Sequence, residues 1–361
     1  MSVLKRWTGA THPSGRLLMG LGMALVGLAG SNPAWGCAAC GCSLSTDGAM
    51  GFATPTGFRL TLQMDYLNQD QLRFGTGTIS TAQVAGLNTP APGQGQEVER
   101  QTINRYTTLG LIYAPTTDWS FRLMVPYIDR SHTTYGGASN PVTSDQLSRA
   151  TVTGLGDLKL IASYTGLLPR SNLGFQVGLK LPTGAYGGQN MNGGPLVGRN
   201  PVFFGSSGNS GGMPLDTSLQ AGTGSTDLLL GVMYHEAVSQ NVRAFVNGQF
   251  QTAVAERLNA AGSDFRPGNQ SALTLGLRYE ASQDLVPQLQ VNLTHKCADQ
   301  GALADTADTA GTVAYLSPGI IGKVGAGLQA YAFVQVPIFS NLSGYQLFPH
   351  WTGTLGLAYK F

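Results

Sequence analysis

The residues best suited to chemistry are three cysteines within six positions, Cys37, Cys40 and Cys42. Soft thiolate ligands suit copper(I) or zinc, but a tetrahedral zinc site needs a fourth ligand, and no histidine lies nearby in the sequence. In an oxidising compartment two of these thiols could instead form a disulfide, and a cysteine that begins a mature chain could carry a lipid. The cluster therefore predicts a disulfide or anchoring role, a soft-metal site or lipidation, and these alternatives stay open.

Other catalytic signals are weak. The five histidines are scattered along the chain, and the sequence contains neither the His-Glu-x-x-His motif of zinc proteases nor a phosphate-binding loop. We therefore expect a protein that is not an enzyme and that needs no cofactor, apart from a soft metal ion at the cysteine cluster.

The composition excludes several classes of protein. Only 11% of the residues are charged, against roughly 25% in typical soluble proteins. Glycine occurs 50 times and hydrophobic residues make up 42%, so the chain is neither charge-rich nor disordered. The net charge of +2 comes without a basic run that could follow a phosphate backbone. An ordinary cytoplasmic enzyme and a nucleic-acid-binding protein are both disfavoured.

The N-terminus has the features of a secretory signal. Lys5, Arg6 and Arg16 precede an apolar run over residues 17–30, and Ala34 and Gly36 are small residues suited to a cleavage site. We expect residues 1–36 to be a signal peptide. No other stretch reaches the ~18 apolar residues of a membrane-spanning helix.

Strict alternation marks the last strand. Apolar or aromatic residues, Trp351, Leu355, Leu357, Tyr359 and Phe361, alternate with small or polar ones up to the end of the sequence. This period of two is typical of a strand with one oily and one polar face. A C-terminal Phe on such a strand predicts recognition by the outer-membrane assembly machinery.

Twelve segments have this character. They lie at 57–68, 105–114, 118–129, 155–165, 172–182, 226–236, 241–252, 271–280, 284–295, 312–321, 326–338 and 350–361. Short turns alternate with longer connections between them, as in outer-membrane barrels whose turns are periplasmic and whose loops are extracellular. The sequence therefore predicts an all-β fold: a transmembrane antiparallel up-and-down β-barrel of about 12 strands, over residues 57–361. It would lie in the outer membrane of a Gram-negative bacterium, in contact with lipid, with both mature termini periplasmic.

Four motifs at strand ends carry a resemblance to a known family. They are Gly154-Leu-Gly-Asp-Leu158, Lys180-Leu-Pro-Thr-Gly184, the segment 216–227 around Thr223-Gly-Ser-Thr-Asp227, and Val334-Gln-Val-Pro-Ile338. In order and placement the chain resembles the MetA-pathway phenol-degradation family of outer-membrane transporters, which is similar in general plan to the long-chain fatty acid channels. The resemblance implies passage of small hydrophobic or aromatic compounds.

Candidate residues for this path lie on inward strand faces and on the long loop 183–225, which carries unusually many apolar residues. They are Tyr106, Asp157, Lys159, Lys180, Phe203, Phe204, Asp227, Arg278, Tyr331 and Phe333. Asp157 and Asp227 follow equivalent glycine-rich turns, which favours a structural role for both, paired with a luminal cation. We expect residues 37–56 to form a periplasmic or luminal plug. The alternative function is a barrel scaffold for a periplasmic metal-handling or redox protein, with Cys37–Cys42 as the contact or metal site.

Overall fold

The computed structural model describes residues 35–36, 56–87, 96–137, 147–188, 195–208, 210–256, 265–282 and 284–361. Almost all regular structure in these ranges is strand. The strands are β1 Trp35–Gly36, β2 Gly57–Gly75, β3 Gly77–Thr78, β4 Gln96–Ala114, β5 Trp119–Gly137, β6 Leu147–Leu155, β7 Leu158–Tyr164, β8 Leu173–Leu181, β9 Tyr186–Gly188, β10 Val197–Arg199, β11 Ser225–Ala237, β12 Val242–Glu256, β13 Gln270–Tyr279, β14 Leu285–Lys296, β15 Ala307–Asp308, β16 Gly311–Gly325 and β17 Leu328–Lys360. The helices are α1 Thr81–Leu87 and a 3₁₀ turn at Thr217–Leu219.

Eleven strands form one closed antiparallel barrel. Their order is β17, β16, β14, β13, β12, β11, β8, β7, β5, β4 and β2, and β2 pairs back to β17. β3 pairs with β2, and β6 pairs with β5, outside this ring. The predicted all-β barrel is therefore confirmed.

The described strands of the barrel cross the membrane twelve times, because β17 turns back on itself. A closed ring of eleven strands cannot be antiparallel at every pairing, since direction must alternate around it. β17 is 33 residues long; Leu342 faces Gly311 of β16, and Lys360 faces Arg59 of β2. Its two ends meet where the Lys360 N–H donates to the Gly327 carbonyl at 2.9 Å. The first half and the second half of β17 are therefore separate crossings, which match the eleventh and twelfth predicted strands.

Side chains sort by parity on the two faces of the wall. Leu355 is 61% exposed on the outside, whereas its neighbour Thr354 is 2% exposed inside. Because hydrocarbon cannot solvate polar groups, the outer face of a membrane barrel must be apolar, while the lumen tolerates polar residues. Predicted lipid-facing residues that are exposed include Leu60, Leu62, Leu160, Phe175, Val177, Leu230 and Leu357.

Aromatic residues on the outer face cluster at two levels. At the end with short turns, Trp119 lies 4.8 Å from Tyr164 between ring centroids. At the other end, Tyr66 lies 5.7 Å from Trp351. Such rings prefer the boundary between hydrocarbon and water, so the two groups mark the edges of the apolar belt. These ends are called the turn end and the loop end below.

Several strands extend beyond the predicted bounds at the loop end. β4 begins at Gln96, nine residues before the predicted start at 105. Residues 96–104 are mostly polar, so the alternation that marks membrane strands fades although the ladder continues. Above the membrane both faces of a strand can meet water, and no apolar face is needed.

α1, which the sequence analysis did not predict, also lies at the loop end. Ser80 and Gln83 bond reciprocally across its first turn, with the Ser80 N–H donating to Gln83 Oε1 at 2.9 Å. Its buried Val84 packs with Val98 and Leu347 of the wall. Among the described residues, no helix is both long and apolar enough to cross a bilayer.

The sorting of faces can be tested on adjacent residues of β13. Leu275 is exposed on the outer face, and Thr274 lines the lumen. We expect Leu275→Arg to lower the free energy of unfolding by about 2–4 kcal/mol, because the cation then meets hydrocarbon. Thr274→Arg serves as the matched control and should cost far less. Urea unfolding in phospholipid vesicles measures both, and equal losses would contradict the assigned faces.

Candidate functional site

A buried ion network at the loop end joins β8, β11 and Asp157, which directly precedes β7. Lys180 Nζ lies 3.0 Å from Asp157 Oδ2 and 3.2 Å from Asp227 Oδ2, and all three side chains are buried. Lys180 also donates to the hydroxyls of Thr223 and Ser225. Ser225 in turn donates to Asp227 Oδ1 at 2.6 Å. Every charge in the network is therefore paired and hydrogen bonded, which is the condition under which buried ions are tolerated.

Asp157 ties both ends of the long loop 183–225 to the barrel. Its Oδ1 accepts from the Gly184 N–H at 3.1 Å, and its Oδ2 accepts from the Thr223 N–H at 3.0 Å. Gly222 makes this approach possible, because a Cβ there would lie 2.5 Å from Asp157 Oδ1. The glycine-rich motifs noted in the sequence therefore meet around one carboxylate. This geometry indicates that Asp157 positions the loop. A role for Asp157, Lys180 and Asp227 in a substrate path stays a prediction.

A second network, centred on Arg130 of β5, holds the middle of the loop. Arg130 Nε donates to Asn104 Oδ1 at 2.5 Å, and the guanidinium also donates to Tyr106 Oη at 2.7 Å and to the Leu219 carbonyl. Tyr106, a predicted path residue, therefore lies beside the loop and accepts a hydrogen bond from Arg130. Sequence reasoning missed Arg130, although its even number places it on the inward face of β5.

The loop packs an apolar cluster into the loop end of the lumen. Phe204, Leu215 and Leu219 of the loop pack with Ile128 of β5 and Val152 of β6. Phe204 is 5% exposed, whereas the adjacent Phe203 is 41% exposed. The two predicted loop aromatics therefore differ in their surroundings. Phe204 anchors the loop, whereas Phe203 stays accessible.

A second apolar cluster narrows the lumen toward the turn end. Tyr331 and Phe333 of β17 have ring centroids 6.3 Å apart, and they pack with Ile112, Val286 and Ile321. Tyr331 also donates to Gln63 Oε1 at 2.9 Å. Both predicted aromatic residues therefore lie at the end opposite the loop cluster.

Between the two apolar clusters lies a cavity of about 120 Å³. Its charged lining residues are Arg122 and Lys159. Most of the others are amides or hydroxyl-bearing residues on inward faces: Gln176, Asn247, Gln249, Gln251, Gln270, Thr274, Asn292, Thr294 and Gln335. Of the predicted path residues, Lys159 lines this cavity.

Arg278 belongs to a separate ion group at the turn end. Its Nε lies 3.3 Å from Glu280 Oε1, and Arg243 Nε lies 3.1 Å from Glu280 Oε2. Lys159 and Arg278, although both predicted for the path, are therefore not brought together.

The structure gives no assignment for the cysteine cluster, because Cys37, Cys40 and Cys42 lie outside the described residues. Within the described ranges, no three His, Cys, Asp or Glu side chains are arranged to hold a metal ion.

Burial raises the pKa of Asp308, at the loop end, to about 8, with a further increase from the neighbouring Asp305 carboxylate.

No protein-family model and no curated protein sequence matches this chain. Among solved structures, the COG4313 outer membrane channel from Pseudomonas putida F1 is similar at 14% identity and a TM-score of 0.57, covering 86% of this chain and 97% of that chain. A FadL homologue from Pseudomonas aeruginosa matches at 10% identity and a TM-score of 0.37, over 84% and 90% of the two chains. The toluene transporter TbuX from Ralstonia pickettii matches at 9% and 0.40, over 85% and 90%. The first of these likenesses shows that the fold is that of an outer-membrane β-barrel.

The role of the ion network in holding the loop can be tested by removing its cation, Lys180. Lys180→Met leaves two buried carboxylates without a cation and should destabilise the barrel by about 3–5 kcal/mol. It should also release the loop, so that trypsin cleaves after Arg199, which otherwise donates to the Gly184 carbonyl at 2.7 Å. Urea unfolding and timed trypsin digestion measure the two effects.

Two companion variants sharpen this test. Adding Asp157→Asn and Asp227→Asn to Lys180→Met removes the stranded charges and should recover part of the stability. Lys323→Met breaks an exposed ion pair with Asp284 and should change stability by about 1 kcal/mol at most. If trypsin cleaves after Arg199 equally slowly in the Lys180 variant and in the unmodified protein, the ion network does not hold the loop.

Proposed function

We propose that the protein is an outer-membrane channel for small hydrophobic or aromatic compounds, in a Gram-negative bacterium and with both ends of the barrel chain in the periplasm. The observation that carries the proposal is the lumen, which is apolar at the Phe204 cluster and at the Tyr331–Phe333 cluster with a cavity between them. Contact with either cluster lowers the free energy of an apolar solute, because apolar surface leaves water. The cavity between the clusters could hold the solute as it moves from one to the other.

Placement of both chain ends at one side follows from the twelve crossings. The Phe361 N–H donates to the Phe58 carbonyl at 3.0 Å, at the turn end. Short turns face the periplasm in barrels of this kind. Phe361 itself is 67% exposed, which supports its proposed recognition by the assembly machinery during insertion.

The alternative, a barrel that sheathes a periplasmic metal-handling or redox protein, needs a lumen wide enough to admit a folded chain. Loop side chains from 203–221 fill the loop end, and Tyr331 and Phe333 narrow the turn end. This filling favours passage of small molecules over a sheath. The resemblance to the phenol-degradation transporters points the same way, and membership of that family stays a prediction.

We further propose that residues 37–56 act as a plug within the barrel. The segment leads directly into β2, which begins with Gly57 at the turn end. The proposed plug therefore lies at or inside the periplasmic mouth. Its twenty residues reach at most about 66–72 Å when extended, which suffices to enter the lumen.

Uptake by proteoliposomes tests the channel itself. Vesicles containing the protein should take up a panel of phenolic and alkylbenzene compounds faster than vesicles without a barrel. Phe203→Ser should lower this uptake about two- to tenfold, the worth of one aromatic contact, because the exposed ring is lost without disturbing the packed loop. Val238→Ser, at an exposed turn residue, is the control. Uptake equal to that of barrel-free vesicles would overturn the proposal.

Removal of residues 37–56 tests the plug. We expect a higher single-channel conductance in planar bilayers, because the segment no longer narrows the path for ions. Heat-modifiable migration on gels checks that the shortened barrel is still folded. An unchanged conductance in a folded barrel would show that the segment lies elsewhere.

A further inference from the structure

Aromatic side chains on the inward face near the turn end lie opposite glycines of the neighbouring strand. Phe333 of β17 faces Gly319 of β16 in the ladder, and Phe245 of β12 faces Gly276 of β13. At each glycine, a Cβ would overlap the ring of the partner. A glycine within a strand often marks a place where another group approaches the backbone closely. These rings therefore lie against the backbone of the wall itself.

Tyr331 is held in the same way, with an additional polar anchor. A Cβ on Gly356 would overlap the Tyr331 ring, and Gly356 lies opposite Gln63 of β2 in the ladder. The Tyr331 hydroxyl donates to Gln63 Oε1 at 2.9 Å. The ring therefore crosses over Gly356 to reach the next strand, and both of its ends are fixed.

The glycines decide how far the two rings of β17 reach into the lumen. Tyr331 and Phe333 belong to the apolar cluster that narrows the lumen, and each is at most 3% exposed. Because glycine lacks a Cβ, each ring sits deeper than it could above an alanine by about 1.5 Å, the length of one C–C bond. A solute needs about 3.5–4.0 Å from each surface that it passes, so this difference is a large share of its clearance.

Phe333 differs from Tyr331 because it has no polar atom to fix it. Packing alone holds its ring, which lies 6.3 Å from the Tyr331 ring between centroids. If a Cβ is added at Gly319, the backbone of β16 cannot yield without disturbing its ladders with β14 and β17. The phenyl ring, in contrast, can rotate about its side-chain bonds. The ring would therefore move, away from the wall and toward the lumen.

We propose that Tyr331 and Phe333 form the constriction that sets the largest solute this channel passes, and that Gly356 and Gly319 determine its size by holding the two rings against the wall. This inference rests on the proposed channel function and adds a size limit to its substrate class. Compounds with one aromatic ring should pass more readily than compounds with two fused rings.

The uptake of 2-naphthol relative to that of phenol tests the constriction, because a purely structural defect would affect both solutes alike. It is measured in proteoliposomes after subtraction of the uptake by barrel-free vesicles. Gly319→Ala should lower this ratio about tenfold, the discrimination that a group of methyl size gives in a tight apolar passage. Phe333→Ala should raise the ratio, because the ring is removed. The double variant Gly319→Ala/Phe333→Ala should match Phe333→Ala, since no ring is left for the alanine to displace.

Gly248→Ala is the matched control. A Cβ on Gly248 would lie 3.4 Å from Val232 Cγ1, on the outer face of the wall where Val232 is exposed, so the ratio should not change. Heat-modifiable migration on gels checks that each barrel is folded.

The outcomes that overturn the inference are distinct. Equal ratios in folded Gly319→Ala and in the unmodified protein reject the role of the glycine. A double variant with a ratio as low as that of Gly319→Ala rejects Phe333 as part of the constriction. If Gly319→Ala does not fold, an unchanged ratio in Phe333→Ala rejects the inference by itself. If phenol enters and no variant changes the ratio, this inference fails alone; if neither solute enters faster than into barrel-free vesicles, the proposed function fails as well.

Discussion

Closure of the sheet between β2 and β17 is the constraint on which the rest of the structure depends. In hydrocarbon, each backbone N–H and C=O left without a hydrogen bond costs several kcal/mol, so a membrane sheet cannot keep an open edge. The ladder from Arg59–Lys360 to Gly75–Leu342 removes that edge. Since every pairing in the barrel is antiparallel, closure also demands an even number of crossings, and β17 supplies two of them by turning back within its length. Both ends of the barrel chain are then brought to the turn end.

Closure creates a second problem, because the lumen encloses whatever the inward faces carry. A buried cation is tolerated only beside an anion and hydrogen-bond partners. Lys180 meets this requirement with Asp157 and Asp227, and the same carboxylates hold loop backbone and neighbouring side chains. The ion network therefore both satisfies the buried charges and holds the loop 183–225 against the barrel. Arg130 repeats the principle through the Leu219 carbonyl.

Much of the fold could be predicted, because the cost of placing polar groups in lipid imposes a period of two that is visible in any one strand. The site could be predicted only in part. Parity assigns Asp157, Lys180 and Asp227 to the lumen, but which residues meet depends on the register between strands, here Lys180 opposite both Lys159 and Asp227. Register is set by turns and by packing across the barrel, which no single segment records. Arg130 and α1 escaped notice for the same reason, since their partners are distant in sequence.

The distribution of polarity along the lumen follows from these two constraints. Near the ends, side chains from non-adjacent strands and from the loop meet across the lumen, so aromatic and aliphatic residues such as Phe204 and Phe333 can bury one another. Midway, the inward faces are largely polar, and amides such as Asn292 and Gln335 bond along the wall at 2.9 Å. Amides are neutral and both donate and accept, so they satisfy one another without the desolvation cost of ions.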